Sequence, residues 1–320
     1  MKSSGIGGQA VLEGIMMRHG DVYSVGVRKP DGEIAVKVDP YKQVVPVKAL
    51  YKIPVIRGVF NFVESLVVGT RCLMYSATFY EDEEENKAEM TEAEKEAAQK
   101  KKEKEDSLLM YGTVCFSILL CAALFIMLPY FVSRLLRAVT DSEILITVLE
   151  ACVRLLIFFC YILLISRMKD IRRTFMYHGA EHKCINCIEH GMELNVENVM
   201  KSSREHKRCG TSFLFFVVVV SVIFFLFIHV SSPLWRIVIR LLLIPVIAGV
   251  SYEIIRLAGS TENPVVGFLS KPGLMLQRLT TAEPDEQMVE VAIAAVEAVF
   301  DWKDWLQKNN STYRKGSEQE

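Results

Sequence analysis

Excess charge of either sign is missing from this chain: 37 lysines and arginines stand against 38 aspartates and glutamates in 320 residues, a formal net charge of −1. No nucleic-acid partner is expected from such a balance. A cleavable signal peptide is also missing, because Met1-Lys2-Ser3-Ser4-Gly5 opens into a mixed polar segment without a contiguous apolar core. The first hydrophobic span is therefore expected to act as the targeting signal. The glycines of Gly5-Ile6-Gly7-Gly8-Gln9-Ala10 lack both a Walker lysine pattern and a full dinucleotide fingerprint, so they read as a tight turn rather than a phosphate cradle. Cys184-x-x-Cys187 has no second cysteine pair to complete a structural zinc site.

What the chain does have is apolar weight, 51% of its residues, gathered into discrete runs. Four of these, Leu108 to Val132, Ile144 to Ser166, Ser212 to Val230 and Trp235 to Leu257, are long enough to cross about 30 Å of hydrocarbon as helices. Between the second and third runs lie Arg167, Lys169, Arg172, Arg173, Lys183, Lys201, Arg204, Lys207 and Arg208, whereas the segment between the first two offers only Arg134 and Arg137. By the positive-inside rule the central loop is cytoplasmic, and with four spans both termini are cytoplasmic too. Of eight cysteines, four lie inside the apolar runs, Cys72 precedes them, and Cys184, Cys187 and Cys209 fall in or beside the loop. In a reducing compartment the last three are thiols or metal ligands rather than disulfide partners.

The expected fold is thus a mainly α-helical polytopic membrane protein. Residues 1–52 form a small cytoplasmic β-rich unit, with a hairpin over Val22 to Val38 turning at Pro30-Asp31-Gly32. Residues 53–80 are apolar on much of their circumference but carry Arg57, Asn61, Glu64 and Arg71, which suits an interfacial or re-entrant helix better than a fifth span. A charged linker helix is expected over 81–107, the four-helix membrane region with its loop 167–211 over 108–257, and a cytoplasmic helical segment over 258–320. In that last segment Val289, Ala292, Ile293, Val296, Val299 and Phe300 recur at three- and four-residue steps after Glu283-Pro284-Asp285.

The chemistry concentrates in Tyr177-His178-Gly179-Ala180-Glu181-His182-Lys183, an H-x-x-E-H pattern. On a helix the imidazoles of His178 and His182 lie one turn apart with the Glu181 carboxylate beside them, a set suited to Zn²⁺ and to a general base for its water. For a third ligand the sequence offers Glu253, in Ser251-Tyr252-Glu253 where an unpaired carboxylate needs a partner, with Cys209, Glu189, Cys184 and Cys187 as alternatives. Glu253 is the preferred choice. Within the second span Glu150 and Arg154 stand four residues apart, as in a neutralised intramembrane pair or a polar pathway.

The chain resembles the YqhQ-like family of bacterial membrane proteins. The resemblance rests on Gly8-Gln9-Ala10-Val11-Leu12-Glu13-Gly14-Ile15-Met16-Met17-Arg18, Ile56-Arg57-Gly58, the histidine block, Arg208-Cys209-Gly210-Thr211-Ser212-Phe213, Ser251-Tyr252-Glu253, and Pro272-Gly273-Leu274 with Thr280-Thr281-Ala282-Glu283-Pro284. The chain departs from the pattern at Ile188, where a tyrosine is usual, and at Lys207, where a proline is usual. The resemblance implies a protein of unknown function, described as a predicted metal-dependent enzyme, in the bacterial inner membrane. The expected activity is hydrolysis of a membrane-associated substrate, with zinc on His178, His182 and Glu253, Glu181 as base, and Glu13, Arg18 and Arg208 as second-shell or substrate-positioning groups. The alternatives are a transporter or channel built on Glu150 and Arg154, or a membrane scaffold; the partners expected are the lipid bilayer and further copies of the chain.

Overall fold

The computed structural model describes residues 3–43, 45–80, 109, 112–135, 142–228, 230, 232–261 and 263–309. The expected linker helix over 81–107 lies outside the described residues. Four helices are long and apolar enough to cross a membrane: Gly112–Ser133, Ile144–Ile165, Gly210–Phe227 and Ile237–Ser260. They coincide with the four runs read from the sequence, and the protein is a polytopic, mainly helical membrane protein with a small antiparallel sheet.

The chain divides into two compact units, the first made of Met1–Tyr80, Tyr161–Phe224 and Leu241–Glu320, the second of Glu81–Cys160 and Phe225–Arg240. In the first unit, strands β1 (Gly7–Val11), β2 (Gly14–His19), β3 (Val22–Arg28) and β4 (Ile34–Pro40) form a meander in sequential order. The expected hairpin is the β3–β4 pair, with Arg28 opposite Ile34. The glycine-rich start, expected as a turn, is instead strand β1, paired through Gly8 and Met17. Its partner β2 is buried on both faces, so Ile15 and Met17 point one way and Met16 the other without the polar alternation that marks a half-buried strand.

One sheet face carries Val11, Met16, Tyr23, Val25 and Val27 against Val68 and Cys72 of helix α1 (Ile56–Ala77). The N-terminal half of α1 runs beside the third and fourth spans: Gly58 packs on Gly249 and Tyr252 of the fourth, and Phe62 meets Phe213 of the third with ring centroids 5.2 Å apart. Its C-terminal half lies on the sheet, with the Leu12 amide donating to Ser76 Oγ at 3.2 Å. The polar groups that disfavoured a fifth span are satisfied by protein: Arg57 pairs with Glu253, and buried Glu64 accepts from the hydroxyls of Tyr41 and Tyr51.

Helices α2 (112–135) and α3 (Glu143–Ile165) are the first two spans, and α2 contains a π-helical turn at Ala123–Met127. In the second unit Glu150 binds Arg154 at 2.8 Å, as expected, and also Arg240 at 2.7 Å, which the sequence reading missed. Arg154 Nε donates to the Phe125 carbonyl inside the π turn at 3.1 Å. The pair is therefore a triad joining α2, α3 and the fourth span, and a carboxylate held between two guanidinium groups suits a clamp.

The opposite sheet face packs on α4 (Lys169–Glu189), short α5 (Val196–Lys201), and, beyond the spans α6 (Gly210–Phe227) and α7 (Pro233–Ser260) and helix α8 (Pro264–Thr280), on α9 (Glu286–Glu297). Helix α9 starts where expected, the Asp285 carboxylate accepting the Met288 amide at 2.8 Å, and its Val289, Ala292 and Val296 are fully buried. The final helix α10 (Trp302–Asn309) buries Trp302 and Leu306 in the same core.

Candidate metal centre

Helix α4 carries His178 and His182 one turn apart, with ring centroids at 4.4 Å. Two backbone carbonyls fix the rings. His178 Nδ1 lies 3.0 Å from the Thr280 oxygen and His182 Nδ1 lies 2.5 Å from the Arg204 oxygen. A carbonyl only accepts, so both Nδ1 atoms bear the proton and both Nε2 atoms are left to face a ligand, the arrangement that orients metal-binding imidazoles.

The third donor comes from the residue just before the third span. Cys209 Sγ is 3.2 Å from His178 Nε2 and accepts the Thr211 amide at 3.3 Å. The donor atoms of His178, His182 and Cys209 all lie within 4.8 Å of one another. Around tetrahedral zinc, bonds of about 2.0–2.1 Å to nitrogen and about 2.3 Å to sulfur put neighbouring donors about 3.3–3.6 Å apart, so the cluster fits with a small inward closure. Burial opposes ionisation of the Cys209 thiol, but the two imidazoles outweigh it and hold the group well below the ordinary thiol range. Burial likewise opposes a charge on His178, yet the Cys209 thiolate, with help from Glu181, raises it to about 9.

The loop that delivers Arg204 and Cys209 is held by the next turn of α4. Asn186 Nδ2 donates to the Ser203 and Glu205 carbonyls at 2.6 and 2.9 Å, and Lys183 Nζ to that of Met200 at 2.7 Å. From α8, Gln277 clamps the backbone of His206 in both directions, at 2.9 and 2.8 Å. None of these three side chains was read as a support of the site from the sequence. Asn186 carried a signal, since it continues the His178, His182 stripe by one more four-residue step.

Glu181 is 5% exposed and lines the same cavity, about 110 Å³, with His178, His182, Cys209, His206 and Arg208. Its carboxylate makes no hydrogen bond or ion pair among the described residues. Gly8 of β1 covers it so closely that a Cβ there would stand 2.9 Å from Glu181 Cδ.

The other sequence-derived groups lie elsewhere. Glu253, the preferred third ligand, is outside the cluster: its two carboxylate oxygens accept from Nε and Nη2 of Arg57, and this arginine is the partner its burial called for. Cys184 and Cys187 are fully buried in the apolar core, where burial pushes the Cys184 thiol well above its usual range and that of Cys187 up to about 11. Glu13, at φ 48°, closes the β1–β2 turn and is clasped by Arg173 and the Tyr177 hydroxyl. Arg18 stacks 3.2 Å over the Tyr41 ring, and Arg208 pairs with Glu189.

Glu189 also accepts from the Ser4 amide and hydroxyl at 2.7 and 2.8 Å, tying the N-terminal segment over the site. Burial would raise this carboxyl, but His206, Ser4 and Arg208 together lower it from 4.5 to about 2. Because the folded value is depressed, the stabilisation is complete above about pH 4.5 and fades as pH falls toward 2; the shift corresponds to about 3 kcal/mol. Glu189→Gln is expected to lose most of that amount at pH 7 and to show a flatter acid limb in stability against pH. Equal stability of the two proteins at pH 7 would contradict this assignment.

A family model described as a protein of unknown function (DUF1385) matches residues 53–302. The uncharacterized protein YqhQ of Bacillus subtilis (strain 168) is 35% identical over 293 residues, which cover 90% of this chain and 89% of that protein. No solved structure matches.

Proposed function

We propose that this chain, which belongs to the DUF1385 family of proteins of unknown function, is a zinc-dependent hydrolase of the bacterial cytoplasmic membrane with its site on the cytoplasmic side. The observation that carries the reading is the convergence of His178, His182 and Cys209, each imidazole turned by a carbonyl on Nδ1 so that Nε2 is left to the cluster, beside a buried Glu181 carboxylate that makes no hydrogen bond among the described residues. His178, His182 and Cys209 would hold the ion with three protein donors, the number typical of catalytic rather than structural zinc sites, and a thiolate among them favours zinc over magnesium or calcium. Zinc held there supplies Lewis acidity and a water that ionises near pH 7.

The remaining work falls to Glu181. Its carboxylate oxygens accept a proton from the attacking water and return it to the leaving group. Gly8 and Ile6 roof the cavity, limiting bulk water around the carboxylate. The basic loop and the charge asymmetry between loops support the cytoplasmic placement.

Purified protein is expected to contain about one zinc per chain, and His178→Ala with His182→Ala to contain none; negligible zinc in both would remove the hydrolase reading. Glu181→Gln is expected to keep the metal while hydrolysis of a fluorogenic acyl ester falls about 10²–10⁴-fold. Full activity in that variant would take the base role away from Glu181.

A further inference from the structure

Helix α8 has two faces with different obligations. Along Pro264–Thr280 there is no acidic residue, and Val265, Phe268, Leu269 and Met275, one side of the helix at i, i+3, i+4 and i+10, have exposures of 66, 67, 58 and 64%. A contiguous apolar stripe of this kind is not what water tolerates on a lone helix. The opposite face is buried and builds the candidate site: Thr280 supplies the carbonyl that orients His178, and Gln277 holds His206.

The depth of α8 is fixed by its neighbours. Gly273 lies against Ser212, where a Cβ would stand 2.9 Å from Oγ, and Gln277 Nε2 donates to the same oxygen at 2.9 Å. Ser212 is in the first turn of span α6, and α8 itself begins at Pro264, just after span α7 ends at Ser260. The stem of Arg208 packs on Gly259, so the adjacent ends of α6 and α7 are level. Helix α8 therefore crosses the ends of two spans, at the level where hydrocarbon gives way to headgroups.

We infer that α8 is an interfacial helix whose Val265, Phe268, Leu269 and Met275 side chains sit in the acyl–headgroup boundary of the bilayer, with Lys271 reaching the lipid phosphates while Arg278 pairs with Glu205 at 2.7 Å. The lipid surface is the occupant because the stripe continues directly from a membrane-spanning helix and carries cations without acids. The candidate metal cavity then opens at headgroup depth. Resting on the hydrolase reading above, the substrate class follows: an amphiphile held in the membrane by its own acyl or apolar segment, with the scissile carbonyl or phosphoryl group near the glycerol level.

The full chain, reconstituted in phosphatidylcholine–phosphatidylglycerol vesicles with a phospholipid bearing a diazirine on its acyl chain, tests the placement by mass mapping after irradiation. Phe268, Leu269 and Met275 are expected to be labelled as the α6 residues are, and α9 is expected to stay at background. Phe268→Ser with Met275→Ser is expected to keep the zinc content of the parent yet lose the preference for a long-chain fluorogenic ester in vesicles over its short-chain soluble counterpart. Unlabelled α8 beside labelled α6 would overturn the placement. Labelled α8 in a protein without zinc would keep the helix in the interface and remove only the hydrolase reading.

Discussion

Exchange of Cys209 for serine is expected to weaken zinc binding by more than about 100-fold, beyond the roughly 10–100-fold that follows loss of an outer-shell partner. The thiolate is the soft, anionic member of the donor set, and a serine hydroxyl stays protonated at neutral pH. The two imidazoles remain in place in the variant, since carbonyls of Thr280 and Arg204 hold them independently of the sulfur. Two neutral nitrogens are then left to bind a divalent ion, too few for a protein zinc site. Competition with a chromophoric chelator reads the change directly. Glu253→Gln is the matched control: its carboxylate is occupied by Arg57, so zinc affinity is expected to match the parent. Undiminished affinity in Cys209→Ser, or loss in Glu253→Gln, would reverse the choice of third ligand.

That choice marks the boundary of what the sequence discloses. The four spans were legible because about 20 apolar residues in a row have few other destinations, and the histidine pair because four-residue spacing on a helix is local geometry. The third ligand was not, because it depends on which distant groups meet. The cost of burying Glu253 correctly called for a partner, but the cation that answers it is Arg57, 196 residues away in sequence, and nothing local distinguishes that answer from a metal ion. Cys209 stood among the alternatives with no local feature to raise it. The same limit hid Arg240 from the Glu150–Arg154 pair, since two helices had to be set side by side first. It also hid β2, where burial of both faces removes the alternation that reveals strands.

Gly179 looked like a weakness in the histidine helix, since glycine costs roughly 1 kcal/mol relative to alanine in a helix interior. Its neighbours reverse that sign. A Cβ at Gly179 would stand 2.1 Å from the Ala282 carbonyl oxygen, and Ala282 is held there by its own amide, which donates to the Phe175 carbonyl at 2.8 Å. The obstacle is backbone on both sides, so no rotamer change relieves it. Gly179→Ala must push the segment around Ala282 away from α4, breaking that hydrogen bond and drawing the Thr280 carbonyl, two residues upstream, off His178 Nδ1. The helical gain of about 1 kcal/mol is expected to be outweighed by an overpacking cost of about 3 kcal/mol or more. The variant should therefore unfold at lower temperature and, where it remains folded, bind zinc more weakly through misorientation of His178. Alanine placed at Gly7, which has no neighbour within 4 Å of the added carbon, is expected to leave zinc affinity unchanged. A Gly179→Ala protein as stable as its parent would mean that the close approach of α4 to the Ala282 segment, and with it the carbonyl that aims His178 at the metal, is not maintained in solution.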